Sequence, residues 1–253
     1  MIGWDTFIYF AAAAIAFAIV SSVLSLLGRR KTSVSFAVAS ALVLASFIAG
    51  LWGSLGRPPL RTMGETRLWY SFFATLAGLF TYIRWKYKWI LSFSTVLSTV
   101  FILLNVFKPE IHDQTLVPAL QSPWFIPHVT VYMFSYSLLG CAFLIAVTCI
   151  FRRGDYGEMF AAADTLVYIG TAFLTFGMLS GAIWAKSAWA WDPKETWALV
   201  TWLAYLMYVH LRLYRKGNEK IWAILLIFAF ACLQMCWWGI NFLPSAQESI
   251  HVY

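Results

Sequence analysis

Apolar runs long enough to cross a membrane recur along the whole chain, at about Phe7 to Leu27, Ser33 to Trp52, Leu68 to Ile83, Trp89 to Phe107, Val129 to Phe151, Thr165 to Ile183, Trp197 to Leu213 and Ile221 to Leu243. A helix needs roughly 20 apolar residues to cross the hydrocarbon layer, where only helices and closed barrels satisfy their own backbone polar groups. The runs use up nearly all of the 253 residues, and no soluble domain fits beside them. With 61% hydrophobic and 11% charged residues, the composition lies far outside that of a soluble globular domain. The expected fold is all-α, a polytopic membrane helix bundle of about eight transmembrane helices. It forms a single integral membrane domain over residues 1–253, with a four-helix part at about 1–120 followed by a second part at 121–253. The first run is too long, and too poor in a small-residue cleavage site, for a removable signal, and it reads as an anchor.

Orientation follows from the basic residues, because Lys and Arg near helix ends are retained on the cytoplasmic side. One set of alternate loops holds Arg29, Arg30, Lys31, Arg84, Lys86, Lys88, Arg152, Arg153, Arg212, Arg215, Lys216 and Lys220, which is 12 of the 18 basic residues. The opposite set holds only Arg57, Arg61, Arg67, Lys108, Lys186 and Lys194. Both termini are therefore expected on the extracytoplasmic side of a cytoplasmic membrane. The net charge of +7 is accounted for by orientation and by the anionic lipid of the bilayer, so nucleic acid is not an expected partner.

The four cysteines, Cys141, Cys149, Cys232 and Cys236, fall inside apolar runs and form no Cys-x-x-Cys pattern, which suits small packing residues and gives no covalent haem site. The loop GRPPLRTMGETR, residues 56 to 67, carries three arginines against the orientation trend. Glu65 could hold it, an anionic ligand could meet it, or it could be a solvated connector. Nothing in the chain resembles a nucleotide-binding loop.

The stretch SAWAWDPKETWALVTW, residues 187 to 202, is the densest chemical feature. Asp192, Pro193 and Glu195 read as a helix start: an acidic N-cap, proline at the first helical position, and a glutamate that bonds back to the cap. Tryptophan is common at membrane surfaces, but a belt spreads it over all helix ends, whereas Trp184, Trp189, Trp191, Trp197 and Trp202 crowd one connection. That density suggests a flat apolar ligand. Of the four histidines, His128 and His251 flank this loop on the same side, His210 lies about 20 Å of helix rise down the seventh run, and His112 is in an outer loop. A histidine at a membrane edge is commonly an ordinary interfacial residue. Two beside an aromatic loop also suit the axial coordination of haem iron, with Lys186 and Lys194 as partners for its propionates.

The segment GMLSGAIWAKSAWAWDPKETWALVTWLAYLMYVHLR resembles the tryptophan-rich haem-handling motif of cytochrome c maturation proteins, and its WDPKETW core is similar to that of the System II family CcsA, or ResC. PWFIPHVTVYMFSYSLLG, YVH and WWGINFLPSAQESIHVY resemble the family's histidine-bearing segments, so the likeness covers most of the chain from about residue 120 onward. The loop between AKSAW and WDPKE is shorter than is common in the family.

The resemblance implies that His128 and His251 are axial ligands to haem at the outer surface. It further implies that Trp184, Trp189, Trp191 and Asp192 contact the haem, with Lys194 and Trp197 beside them, and that His210 is a possible transit ligand within the membrane. His112 matches nothing in the family. The implied function is to carry haem b, held non-covalently, across the membrane and present it for attachment to an apocytochrome c bearing Cys-x-x-Cys-His. The implied partners are a CcsB or ResB-like membrane protein, which would complete a cytochrome c haem lyase, and thiol-reducing thioredoxin-like proteins. No catalytic acid, base or nucleophile is evident, so catalysis would rest on positioning and control of the iron. Alternative readings are a haem permease without synthase activity, similar to CcmC, and a b-type electron-transfer subunit. The latter would usually pair histidines on facing helices, and His210 has no such partner in the sequence.

Overall fold

A computed structural model of the chain describes residues 2–113, 125–151, 156–184, 191–214 and 218–244. Those residues form eight α-helices: α1 Phe7–Leu26, α2 Arg30–Leu55, α3 Met63–Trp85, α4 Lys88–Phe107, α5 Phe125–Phe151, α6 Gly157–Trp184, α7 Pro193–Leu213 and α8 Glu219–Trp237. Six are long and apolar enough to cross a membrane, all but α3 and α7. The two exceptions carry several ionisable residues toward their ends, Glu65, Arg67 and Arg84 in α3 and Lys194, Glu195, His210 and Arg212 in α7. The last apolar run is interrupted: α8 stops at Trp237, and Gly239–Phe242 forms a 3-10 turn that hydropathy alone does not separate from helix.

The helices fall into two compact units, residues 1–121 and 122–253. In both, the outward-facing side chains are themselves apolar, among them Leu42, Val96, Leu179 and Ile224. Such a surface belongs in lipid rather than water.

In lipid no hydrophobic force drives helices together, so packing and interhelical hydrogen bonds must do it. In the first unit Ser21 and Ser33 each donate to the other's carbonyl at 2.8 Å, and Ser40 donates to the Ala14 carbonyl at 2.8 Å. Small residues along this seam, Ala11, Ala14, Ala18, Ala37 and Ala41, let the α1 and α2 backbones approach closely enough for such bonds. Ser98 likewise donates to the Ser71 carbonyl at 2.9 Å and ties α4 to α3. Phe7, Leu44, Phe47, Leu68 and Ile102 fill the core near the end where α1 and α3 begin.

The arginine-rich loop has a simple account. Arg57 makes a two-pronged bond to Glu65, at 2.9 and 3.0 Å, and the same carboxylate accepts from the Thr62 amide while Thr62 Oγ1 accepts from the Glu65 amide. Glu65 therefore both caps α3 and fastens the loop in front of it.

The second unit is built in the same way. Ser135 donates to the Gly170 carbonyl at 2.7 Å between α5 and α6, and Trp202 Nε1 donates to Thr175 Oγ1 at 2.8 Å between α7 and α6. Phe143 and Phe230 stack at 4.3 Å between α5 and α8. The four cysteines are all buried, and none is in a disulfide.

Candidate functional site

α7 starts where the residue order predicts. Asp192 Oδ1 accepts from the Lys194 amide at 2.8 Å, Glu195 Oε2 accepts from the Asp192 amide at 3.3 Å, and Pro193 occupies the first turn. These bonds satisfy amides that a helix start otherwise leaves bare. Asp192 is buried, so its carboxylate serves the helix.

Trp191, immediately before the cap, has φ 55°. In that left-handed region an L side chain costs on the order of 1 kcal/mol. The residue is nevertheless 67% exposed, so the turn holds a large flat ring away from the protein interior. A strained backbone that presents an exposed ring is a mark of a positioned side chain. Lys194 and Trp197 follow on the first two turns of α7, both half-buried. Lys194 lies ahead of the apolar run, and burial pushes its ammonium down to about 8, against the opposing effects of Cys236 and Asp192.

His128, near the start of α5, is seated against the last turns of α6. Its Nδ1 lies 2.8 Å from the Gly177 carbonyl and 3.5 Å from Ser180 Oγ. A carbonyl only accepts, so Nδ1 carries the proton and the ring's lone pair is on Nε2. Glycine at 181 permits the seat, since a Cβ there would lie 2.7 Å from His128 Cε1.

His128, Tyr132 and Tyr136 are spaced four apart and share one face of α5. Their rings follow one another at 4.8 and 5.6 Å, and Tyr136 lies 5.7 Å from Trp237. The Tyr136 hydroxyl donates to Cys236 Sγ at 3.9 Å, and that thiol donates to the Lys194 carbonyl at 3.5 Å. One end of the second unit thus gathers His128, Trp191, Asp192, Lys194 and Trp197 from the starts of α5 and α7, beside the ends of α6 and α8.

His210 is not among them. It is exposed on α7, with Nδ1 3.2 Å from the Leu206 carbonyl of its own helix. Two residues on, Arg212 Nε donates to Asp164 Oδ1 at 2.8 Å, on the far part of α6. Asp164 precedes Gly177 by thirteen residues, about 20 Å of helix rise, so His210 and His128 belong to opposite ends of the unit. The side chain of Trp184, and all of Trp189, Lys186 and His251, lie outside the described residues.

Arg212, grouped with the loops by sequence, is instead in the last turn of α7, where its guanidinium pairs with Asp164 and lies 4.2 Å over the Trp222 ring. Tyr208 also donates to Asp164, at 2.7 Å. Asp164 is a single carboxylate at the edge of an apolar run, which the helix carries past it, and this is the signal that could have drawn attention to the cluster.

Fold and site together define a polytopic membrane helix bundle with an imidazole, a lysine and tryptophans collected at one end of a four-helix unit. The cytochrome C assembly protein family matches residues 60–247. The chain is 30% identical to the cytochrome c biogenesis protein CcsA of Marchantia polymorpha, over 81% of this chain and 82% of that protein. It is 32% identical to CcsA of Chlamydomonas reinhardtii, over 85% of this chain and 66% of that protein, and 30% identical to CcsA of Mesostigma viride, over 83% of each. The chain belongs to the cytochrome c assembly protein family.

Proposed function

We propose that this chain takes haem b from the cytoplasmic side of a bilayer, holds it at the outer end of the second unit, and presents it to an apocytochrome c, as the CcsA half of a synthase completed by a CcsB or ResB-like partner. The observation that carries the reading is His128. Its Nδ1 proton is committed to the Gly177 carbonyl, which fixes the tautomer whose Nε2 ligates iron, and the exposed Trp191 ring and Lys194 belong to the same end. On this reading His251 is the second axial ligand. Trp184, Trp189, Trp191 and Trp197 border the porphyrin, Asp192 fixes the turn that aims Trp191, and Lys194 meets a propionate.

The basic residues Arg29, Arg30, Lys31, Arg84, Lys86 and Lys88 cluster at the opposite helix ends of the first unit from the N-terminus, which supports an extracytoplasmic N-terminus. We read α3 and α7 as spanning as well, because their polar residues are gathered near their ends or paired within their unit. The haem supplies the two vinyl groups; each apocytochrome thiol adds across one, forming a C–S bond as the C=C π bond is lost and the thiol proton passes to carbon. This chain contributes orientation and exclusion of water.

Co-expression with a CcsB-like partner and a reporter apocytochrome tests the proposal. Covalent haem should form on the reporter with both proteins and fail with either alone; covalent haem formed by the partner alone would overturn it. The transit step has its own readout. His210→Ala should lower the haem that the protein carries when isolated from cells severalfold, while the purified variant still takes up added haem at its outer site. Normal haem content together with normal cytochrome assembly would refute a transit role.

Lys194 should impose a pH dependence. Its ammonium is charged below about 8, and the pairing with a propionate is lost as pH rises through that value and above. Haem retention should weaken by up to about tenfold across that range, the magnitude of one charge-assisted hydrogen bond. Lys194→Arg, which keeps its charge, should flatten the profile, as followed by haem absorbance after equilibration at each pH.

Trp191→Gly separates the two roles of that residue. Glycine relieves the left-handed strain, so the melting temperature should hold or rise slightly, while haem retention falls because the ring is gone. Undiminished haem retention would reduce Trp191 to an ordinary interfacial tryptophan.

A further inference from the structure

The end of the first unit away from the N-terminus carries a charge pattern that orientation in a bilayer does not by itself require. Two short connections lie there, between α1 and α2 and between α3 and α4, and they and the adjoining helix ends hold Arg29, Arg30, Lys31, Arg84, Lys86 and Lys88. All six are exposed. The acidic residues of this unit, Asp5, Glu65, Glu110 and Asp113, belong to its other end, so no carboxylate neutralises the six.

The two connections are fastened into one surface. Ser25 Oγ, near the end of α1, donates to the Lys88 carbonyl at 3.0 Å, and Lys88 Nζ lies 3.6 Å from where a Cβ on Gly28 would be. The ammonium of one connection thus reaches the turn of the other. Arg30 Nη2 donates to the Ile83 carbonyl at 2.9 Å, which holds its guanidinium against the end of α3, and Arg84 lies 5.3 Å over the Trp85 ring. Lys86 caps α3 with φ 61°, a left-handed position that favours glycine.

The second unit shows what orientation alone tolerates. Its Arg152, Arg153, Arg212, Arg215, Lys216 and Lys220 are interleaved with Asp155, Glu158, Asp164 and Glu219, and Arg212 pairs with Asp164. Retention on one side counts Lys and Arg and is little affected by acids, so an acid-free surface calls for a further reason. An anionic partner supplies one. Leu26, Leu27, Ile83 and Phe93, at or within two turns of the same helix ends, are exposed and apolar, so the anion that fits best brings hydrocarbon with it. A single phosphate would leave most of six cations uncompensated, whereas two phosphates on one headgroup can be shared between two connections.

We propose that this end of the first unit binds an anionic phospholipid with two phosphates, of the diphosphatidylglycerol class, its headgroup shared between the two basic connections and its acyl chains lying along Leu26, Leu27, Ile83 and Phe93. The site lies wholly within the first unit and does not depend on the haem reading.

Native mass spectrometry of the full chain in a neutral detergent tests this by counting bound lipids. The probes are diphosphatidylglycerol, phosphatidylglycerol and phosphatidylcholine with the same acyl chains. The chain should retain one diphosphatidylglycerol at least tenfold more tightly than phosphatidylglycerol, and phosphatidylcholine more weakly still. Each basic residue near an anionic surface is worth about fivefold in affinity. Arg29→Gln combined with Lys88→Gln should therefore lower the affinity more than tenfold, while Arg152→Gln combined with Arg153→Gln, the same loss of charge in the other unit, should leave it unchanged. Equal losses from the two pairs would mean diffuse attraction to net charge, and equal retention of all three lipids an apolar groove only. Phosphatidylglycerol held as tightly as diphosphatidylglycerol would remove the two-phosphate headgroup. Displacement by millimolar inorganic phosphate would assign the surface to a free anion, and displacement by a short oligonucleotide to nucleic acid. Each of these results overturns the proposal, and the comparison of the three lipids needs no variant to fold.

Discussion

Replacing His128 with glycine should lower the haem retained by the purified protein at least tenfold, and imidazole added to the buffer should restore part of it. The imidazole is fixed by three groups of α6, the Gly177 carbonyl, Ser180 and the bare Cα of Gly181, so a free imidazole entering the vacated seat meets the same hydrogen-bond acceptor. A ligand whose second nitrogen is anchored in this way is tuned as well as held, and loss of such an anchor alone typically costs 10–100-fold in metal affinity. Gly181→Ala should therefore weaken haem binding without removing any ligand, because its methyl would drive into the ring. Two neutral imidazoles give a low-spin iron, so the absorption spectrum reports both the loss and the rescue. A His128→Gly protein with an unchanged spectrum would remove His128 from the site.

The start of α7 was legible from sequence because capping is local chemistry: Asp192, Pro193 and Glu195 act within one turn, and the structure shows the bonds that their order predicts. The helices were legible for a related reason, since apolar length is a property of the chain itself. What settles around a side chain is a different matter. His128 could be singled out by type, but its tautomer depends on a carbonyl 49 residues away in sequence. The arginine-rich loop left three readings open, and only the approach of Arg57 to Glu65 decides among them in favour of an internal clasp. His112 matched no motif and had no sequence feature to distinguish it. The fold stacks its ring on Trp4, from the turn before α1.

The largest effect on stability is expected at Asp164. Its carboxylate accepts from Tyr208 at 2.7 Å and from Arg212 through both Nε and Nη2, and the two charged side chains are only 16% and 17% exposed. Asp164→Ala would leave a guanidinium and a phenol hydroxyl without their acceptor in surroundings that water reaches poorly. Breaking one side of such a pair costs about 3–5 kcal/mol, which for a chain of this size is on the order of 10 °C in melting temperature. Arg212→Met alone should cost less, because the carboxylate keeps Tyr208 and can take up a proton. The pair itself need not be stabilising: desolvating two charges offsets much of their attraction, and an apolar replacement of both is often neutral. Asp164→Leu combined with Arg212→Met should accordingly recover most of the loss, with the methionine taking over part of the packing of Arg212 on Trp222 and Phe160. Thermal melts of the three variants in the same detergent give the answer. If Asp164→Ala melts with the parent, the cluster is solvated and the three helices are held without it; if the double variant is no better than the single one, the charges contribute more than their mutual satisfaction.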